Sequence, residues 1–202
     1  MALIRARRGV PSSDRAICGT VHVCQCPEAT RAVARTFRLA SRDDSHEVRV
    51  SNIAVDIVDA YVFRHHNGMV QFLLLQRAKD VSMGGTWHGV HGKIDQGLSA
   101  LETAKRSVYT ATSLIVVAAY SADYTNQFFD PVSDSIILAP VFAFTVDRSS
   151  RITLSDEFSD YAWCETEEAT SRLLFSGQRW AIRHIEEIIG MGGGDAEYYR
   201  VQ

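Results

Sequence analysis

Gly92-Lys93-Ile94-Asp95-Gln96-Gly97-Leu98-Ser99-Ala100-Leu101-Glu102-Thr103-Ala104-Lys105-Arg106-Ser107-Val108-Tyr109-Thr110-Ala111-Thr112-Ser113-Leu114 is the stretch on which the fold turns. Its first six residues, between two glycines, read as a turn. Ser99 is a good helix cap, and Glu102 three residues on completes a capping box. The helix then runs from about Ala100 to Thr112. Leu101, Ala104, Val108 and Ala111 or Thr112 have helical spacing, so one face is apolar.

The segments on either side read as strands and helices in alternation. Ile53 to Phe63 is rich in β-branched and aromatic residues. His65-His66-Asn67-Gly68 punctuates it, and Asn-Gly marks a tight turn because both residues tolerate positive φ. Val70 to Arg77 is then the return strand of a hairpin. The paired histidines read as exposed strand-end residues. Gly84-Gly85-Thr86-Trp87 is a loop entering a short strand. After the helix come two long strands, Leu114 to Tyr120 and Ser135 to Thr145, joined by a loop at Asn126 to Ser133. A short strand at Tyr161 to Cys164 precedes two closing helices, Glu165 to Phe175 and Gln178 to Gly190. Trp180, Ile182, Ile185 and Ile188-Ile189 mark the buried side of the last one. The glycine run from Gly190 ends it, and a loose tail is expected beyond.

The chain has 202 residues, 46% hydrophobic and 22% charged, with a net charge of -3. That is the make-up of a globular protein, and a length that suits one domain plus an extension. The charge balance argues against a general nucleic-acid binder. No apolar run is long enough to span a bilayer. Residues 1–47 differ: Arg5, Arg7, Arg8, Arg15, Arg31, Arg35, Arg38 and Arg42 face few acids. This arm contains a predicted helix from Ala29 to Ala40, with Val33, Phe37 and Ala40 on its apolar side. It has no secretory signal, although its acid-poor, Arg-rich make-up is similar to a transit peptide. Four cysteines are too few to staple the chain, so a cytoplasmic setting is expected, with an organellar one as the alternative. Cys18, Cys24, Cys26 and His22 fit no closed zinc module and read as ordinary residues of the arm. The expected divisions are 1–47, 48–190 and 191–202.

The quoted stretch resembles the Nudix box, G-x5-E-x7-R-E-U-x-E-E-x-G-U with U a bulky aliphatic. Flanking segments resemble the same family. Leu73-Leu74-Leu75-Gln76-Arg77 matches the strand ahead of the box. Trp87 followed by Gly92-Lys93 looks like the W-x-x-x-G-G-K approach, with His91 where the first glycine is common. Glu157 to Trp163 followed by Glu168-Ala169 resembles the late strand and helix. Trp180-Ala181-Ile182 is similar to the last helix of dihydroneopterin-triphosphate and dATP-type members. The resemblance runs from about Val48 to Gly190. It implies an α/β/α sandwich around a mixed central sheet, here with an N-terminal extension.

The resemblance breaks at the acids. Leu98 stands at the first glutamate position, Ser107 at the next, Thr110 and Ala111 at the pair, and Ser113 at the glycine. Arg106, Val108 and Leu114 keep their places. In the family, the carboxylates hold magnesium or manganese against a diphosphate, and the metal activates water. Positions 107, 110 and 111 share one helical face, and here that face offers two hydroxyls and a methyl. Neutral hydroxyls are poor ligands for a strongly hydrated dication, so no metal cofactor is expected unless other acids take over. The candidates for that are Glu157, Asp156, Glu102 and Asp95. Glu102 lies about 140° around the helix from Ser107 and has a capping role to fill. Arg77, Lys93, Arg106, Trp87 and Gly92, with Phe128 or Phe129, are the candidate phosphate or ligand contacts. Arg106 lacks its box glutamate, so it is either free for an anion or held in another salt bridge.

Three functions follow as expectations. The first is a catalytically impaired Nudix fold that binds a nucleotide, a diphosphate-linked small molecule or a protein partner, including a second copy. The second is a hydrolase of nucleoside diphosphate-linked substrates that uses relocated acids and a magnesium or manganese ion. The third is a subunit of a larger assembly whose Arg-rich arm meets RNA or acidic protein. No membrane partner is expected.

Overall fold

The computed structural model describes residues 52–147, 149–190 and 194–202. The expected helix at 29–40 and the cysteine cluster lie outside these residues. The chain order is β1 (Asn52–Ala54), β2 (Ile57–His66), β3 (Met69–Arg77), β4 (Trp87–His88), β5 (Val90–Lys93), α1 (Ala100–Thr112), β6 (Val116–Asp130), β7 (Ser135–Val146), β8 (Phe158–Glu165), α2 (Thr166–Arg172), α3 (Ser176–Ile185) and β9 (Arg200–Val201). A π-helical turn, Glu186–Gly190, extends α3, and a 3-10 turn, Gly194–Tyr199, precedes β9.

The sheet is mixed. β2 pairs with β7 in parallel, as does β1, and the other pairings are antiparallel. Asn67 and Gly68 take φ of 51° and 79°, so the β2–β3 hairpin closes with the tight turn that Asn-Gly favours. β2 and β3 stay paired only near that turn, from Phe63–Phe72 to His66–Met69. Further along they part, and β4 lines β3 while β5 lines β2. The fork between the two strands is thus filled by the short segment Trp87 to Lys93. A Cβ on Gly89, between β4 and β5, would meet the Tyr61 ring at 2.8 Å, so this crossing is built for glycine.

Alternation along β2 splits the core in two. Val58, Ala60 and Val62 pack with Leu73, Leu75, Ala104, Val108 and Phe144 beneath α1. Tyr61 and Phe63 pack with Phe72, Leu74, Leu173, Ile182 and Ile185 beneath α2 and α3. The result is the three-layer α/β/α arrangement with a mixed sheet. Among the described residues no helix is long and apolar enough to cross a membrane.

Three expectations need correction. The segment from Asn126 onward is not a loop: β6 runs on to Asp130, and a turn of four residues reaches β7. The chain after the glycine run is not loose, because residues 200 and 201 pair with Tyr120 and Ala119 on the outer edge of β6. Trp180 does not face the core. It is 59% exposed, whereas Gln178, Ala181, Ile182 and Ile185 form the buried stripe. The Arg183 guanidinium lies 5.7 Å from the centre of its ring.

Candidate ligand cleft

A cleft of about 510 Å³ opens beside the fork. Gly92 and Lys93 of β5 form one wall. Arg106, Ser107, Thr110 and Ala111 of α1 form the facing wall, and Arg77 and Glu157 stand at the rim. The close approach of the walls depends on Gly92, since a Cβ there would lie 2.1 Å from Ser107 Oγ.

Helix α1 is set as the sequence requires. Ser99 accepts from the Glu102 amide, and the Glu102 carboxylate accepts from the Ser99 amide at 2.9 Å. These bonds hold the Glu102 carboxyl below its ordinary range and leave it away from the cleft. At the other end Ser113 takes the left-handed conformation with φ 58°, and its amide bonds the Tyr109 carbonyl. Leu98 is half-buried in the preceding turn. Neither Leu98 nor Ser113 lines the cleft.

The acids near the cleft are engaged. Glu157 Oε2 accepts from Arg77 Nη1 at 3.0 Å, and Asp95 Oδ2 accepts from Arg106 Nη2. Arg106 is therefore in a salt bridge, and its partner is the turn acid and not a helix acid. Asp156 is exposed and outside the lining. Lys93 is the cleft cation without an ion pair among the described residues. Trp87, Phe128 and Phe129 lie outside the lining. Trp87 instead carries the Arg172 guanidinium 4.8 Å over its ring.

The resemblance to the Nudix box implies magnesium or manganese, and the α1 positions that face the cleft offer such an ion no carboxylate. Ser107 and Thr110 bring neutral hydroxyls and Ala111 a methyl where hard cations require charged oxygens. Among the described residues no group of three or more His, Cys, Asp or Glu is placed to hold a metal ion.

A polar network at the fork went unread in the sequence. Asp59 of β2 is buried and accepts from His91 Nδ1 at 2.5 Å. Its other oxygen accepts from the Asn126 amide. Gln178 Nε2 lies 2.9 Å from His91 Nε2 and 3.3 Å from His88 Nδ1. His88 Nε2 in turn lies 2.6 Å from Thr86 Oγ1. The Thr86 hydroxyl gives its one proton to the Met83 carbonyl, so His88 Nε2 is the donor to Thr86. Each imidazole then presents a lone pair to the two amide protons of Gln178. Burial lowers the His88 pKa to about 4, helped by His91 and Arg77 nearby, which keeps this ring neutral. The available sequence signal was Asp59 itself, a charge amid a β-branched run, because a buried carboxylate demands partners.

Residues 54–186, well over half of the chain, match the family model for the NUDIX domain. Comparison with curated proteins gives no significant match. Solved structures share the fold. Ap4A hydrolase of C. elegans is 18% identical with a TM-score of 0.58, over 68% of this chain and 98% of that one. The dihydroneopterin triphosphate pyrophosphohydrolase of E. coli is 18% identical with a TM-score of 0.55, over 69% and 99%. The NUDIX domain of Shewanella oneidensis NrtR, complexed with ADP ribose, is 17% identical with a TM-score of 0.55, over 72% and 93%. The extent of the family match, together with the forked sheet and the placement of α1, makes this chain a member of the Nudix domain family.

Proposed function

We propose that the chain binds a nucleotide or diphosphate-linked small molecule in the cleft, and that metal-dependent hydrolysis is impaired. One observation carries this reading: the α1 wall presents Ser107, Thr110 and Ala111 while the two acids beside it are each paired with an arginine. A diphosphate in the cleft finds Lys93 without an ion pair among the described residues. It can also compete with Asp95 for Arg106 and with Glu157 for Arg77, replacing one anion by another on each guanidinium. The NrtR domain, similar in fold, holds ADP ribose, which makes that molecule a natural first probe.

Calorimetric titration with ADP-ribose, nucleoside triphosphates and dihydroneopterin triphosphate tests the binding half. A hydrolysis panel with magnesium, manganese or chelator tests the other half. The expected result is binding, with no turnover that depends on the metal. The variant carrying Leu98→Glu, Ser107→Glu, Thr110→Glu, Ala111→Glu and Ser113→Gly should acquire metal-dependent turnover.

A second reading is supported by the position of Asp95 and Glu157 at the cleft. It is a hydrolase of nucleoside diphosphate-linked substrates, with these acids, Asp156 or Glu102 serving in place of the box. Magnesium-dependent turnover by the native chain would establish it over the first reading. The assembly reading depends on an arm outside the described residues, and capture of RNA or acidic protein by the full chain but not by residues 48–202 would support it.

A further inference from the structure

We infer that the cleft takes its ligand as the free anion, held directly by the Ser107 and Thr110 hydroxyls, and that magnesium opposes binding. The inference rests on the ligand reading above and names the form in which that ligand enters. The walls of the cleft are built of hydrogen-bond donors. Lys93 stands on β5, Arg106 on α1 and Arg77 at the rim. Ser107 and Thr110 add one hydroxyl proton each. Ser107 Oγ stands directly over Gly92, where a Cβ would lie only 2.1 Å from it, so this hydroxyl meets the opposite wall. The carboxylates of Glu157 and Asp95 are held by Arg77 and Arg106, and they are 64% and 59% exposed. Water screens such pairs, so an incoming anion takes the guanidinium at little cost and the acid turns to solvent.

Free phosphate oxygens are acceptors, and they match this lining of guanidinium, ammonium and hydroxyl. Magnesium reverses the match. It takes phosphate oxygens as its own ligands and keeps several waters. The complex carries less negative charge for Lys93 and the two arginines. Its outer surface is made of water protons, which face donors. Exchanging those waters for protein ligands requires charged oxygens, and the α1 wall offers Ser107, Thr110 and Ala111.

The test is calorimetric titration of the full chain with inorganic pyrophosphate and with ATP. Both are chelated almost completely by millimolar magnesium. One series contains excess chelator and the other magnesium, at matched ionic strength so that screening is equal. Binding is expected in chelator. With about a tenth of the probe left free of magnesium, the apparent Kd should rise roughly tenfold. Ser107→Ala and Thr110→Val should each weaken binding in chelator by about tenfold, the worth of a hydrogen bond to a charged group. Thr110 is exposed, so Thr110→Glu is compatible with the fold. It should weaken binding in chelator and shrink or reverse the magnesium effect, a change of sign that a merely structural lesion would not produce. Equal or tighter binding of the native chain in magnesium overturns the inference and leaves the ligand reading standing. Affinity in chelator that Ser107→Ala and Thr110→Val leave unchanged overturns it as well. Failure of both probes and of ADP-ribose to bind in either series overturns both.

Discussion

At the residue scale, the family glycine that ends the box helix is Ser113 here, and the backbone kept the glycine's geometry. Its φ of 58° is a region where a Cβ crowds the following carbonyl. The strain is roughly 1–2 kcal/mol, against about 0.5–1 kcal/mol of extra chain entropy that glycine forfeits on folding. Ser113→Gly is therefore expected to stabilise the protein by about 0.5–1 kcal/mol, seen as a rise of roughly 1–4 °C in the melting temperature. A melting temperature that stays the same or falls would mean that the serine hydroxyl contributes more than its conformation costs. Arg106 obeys a different rule. Its bridge to Asp95 is about half exposed on both sides, so water screens it, and Arg106→Ala should cost less than about 1 kcal/mol. A loss of several kcal/mol in denaturant titration would show that the pair is sealed from water. The same substitution should weaken diphosphate binding, because the guanidinium is a cleft wall before it is a stabiliser.

At the scale of elements, the long hairpin of β6 and β7 sets the outer edge of the sheet, and only two residues of β9 cover part of it. Ala119 is buried beneath that pairing, and Val201 packs on the same core. Deleting residues 194–202 should lower the melting temperature and expose an unpaired edge that favours self-association, which calorimetry and light scattering would report. An unaltered, monodisperse product would mean that β9 is dispensable. This strand was unreadable in advance because two residues carry no periodicity and pair with a partner far away in sequence. The extension of β6 through Asn126 to Asp130 was hidden for a related reason. Asn126 and Gln127 look like loop residues, yet Asn126 is buried because Asp59 needs its amide. By contrast, α1 was legible to the residue at its start. Its cap, its glutamate and its apolar stripe all state the same result locally. Trp180 is apolar in sequence, but its helical angle turns it away from the core. Positions 178, 181, 182 and 185 make the stripe, and 180 falls across the helix from it.

For the whole molecule, the network at the fork ties β2, β4, β5, β6 and α3 into one unit through five side chains, and this gives global stability a pH dependence of known sign. His88 titrates near 6.5 when unfolded and near 4 when folded, chiefly because burial disfavours its charged form. Between those values the unfolded chain binds the proton that the native state refuses. Stability must then rise with pH across that window and fall as acid is added. The loss begins as pH drops below about 6.5 and is complete near 4. Carboxylates held low by local bonds, such as Glu102, Asp130 and Asp147, contribute only at the acid end, so the upper part of the window isolates the imidazole. Thermal melts between pH 5 and 7.5 should show a melting temperature that climbs with pH, and His88→Gln should flatten the climb while keeping a partner for Thr86 and Gln178. A slope that survives in His88→Gln would place the acid sensitivity in another group. The residues that make this so, two histidines and a glutamine scattered over ninety positions, have no shared spacing in the sequence. Only the fork in the sheet brings them together, and the fork exists because β2 and β3 separate around the short strands that precede the box.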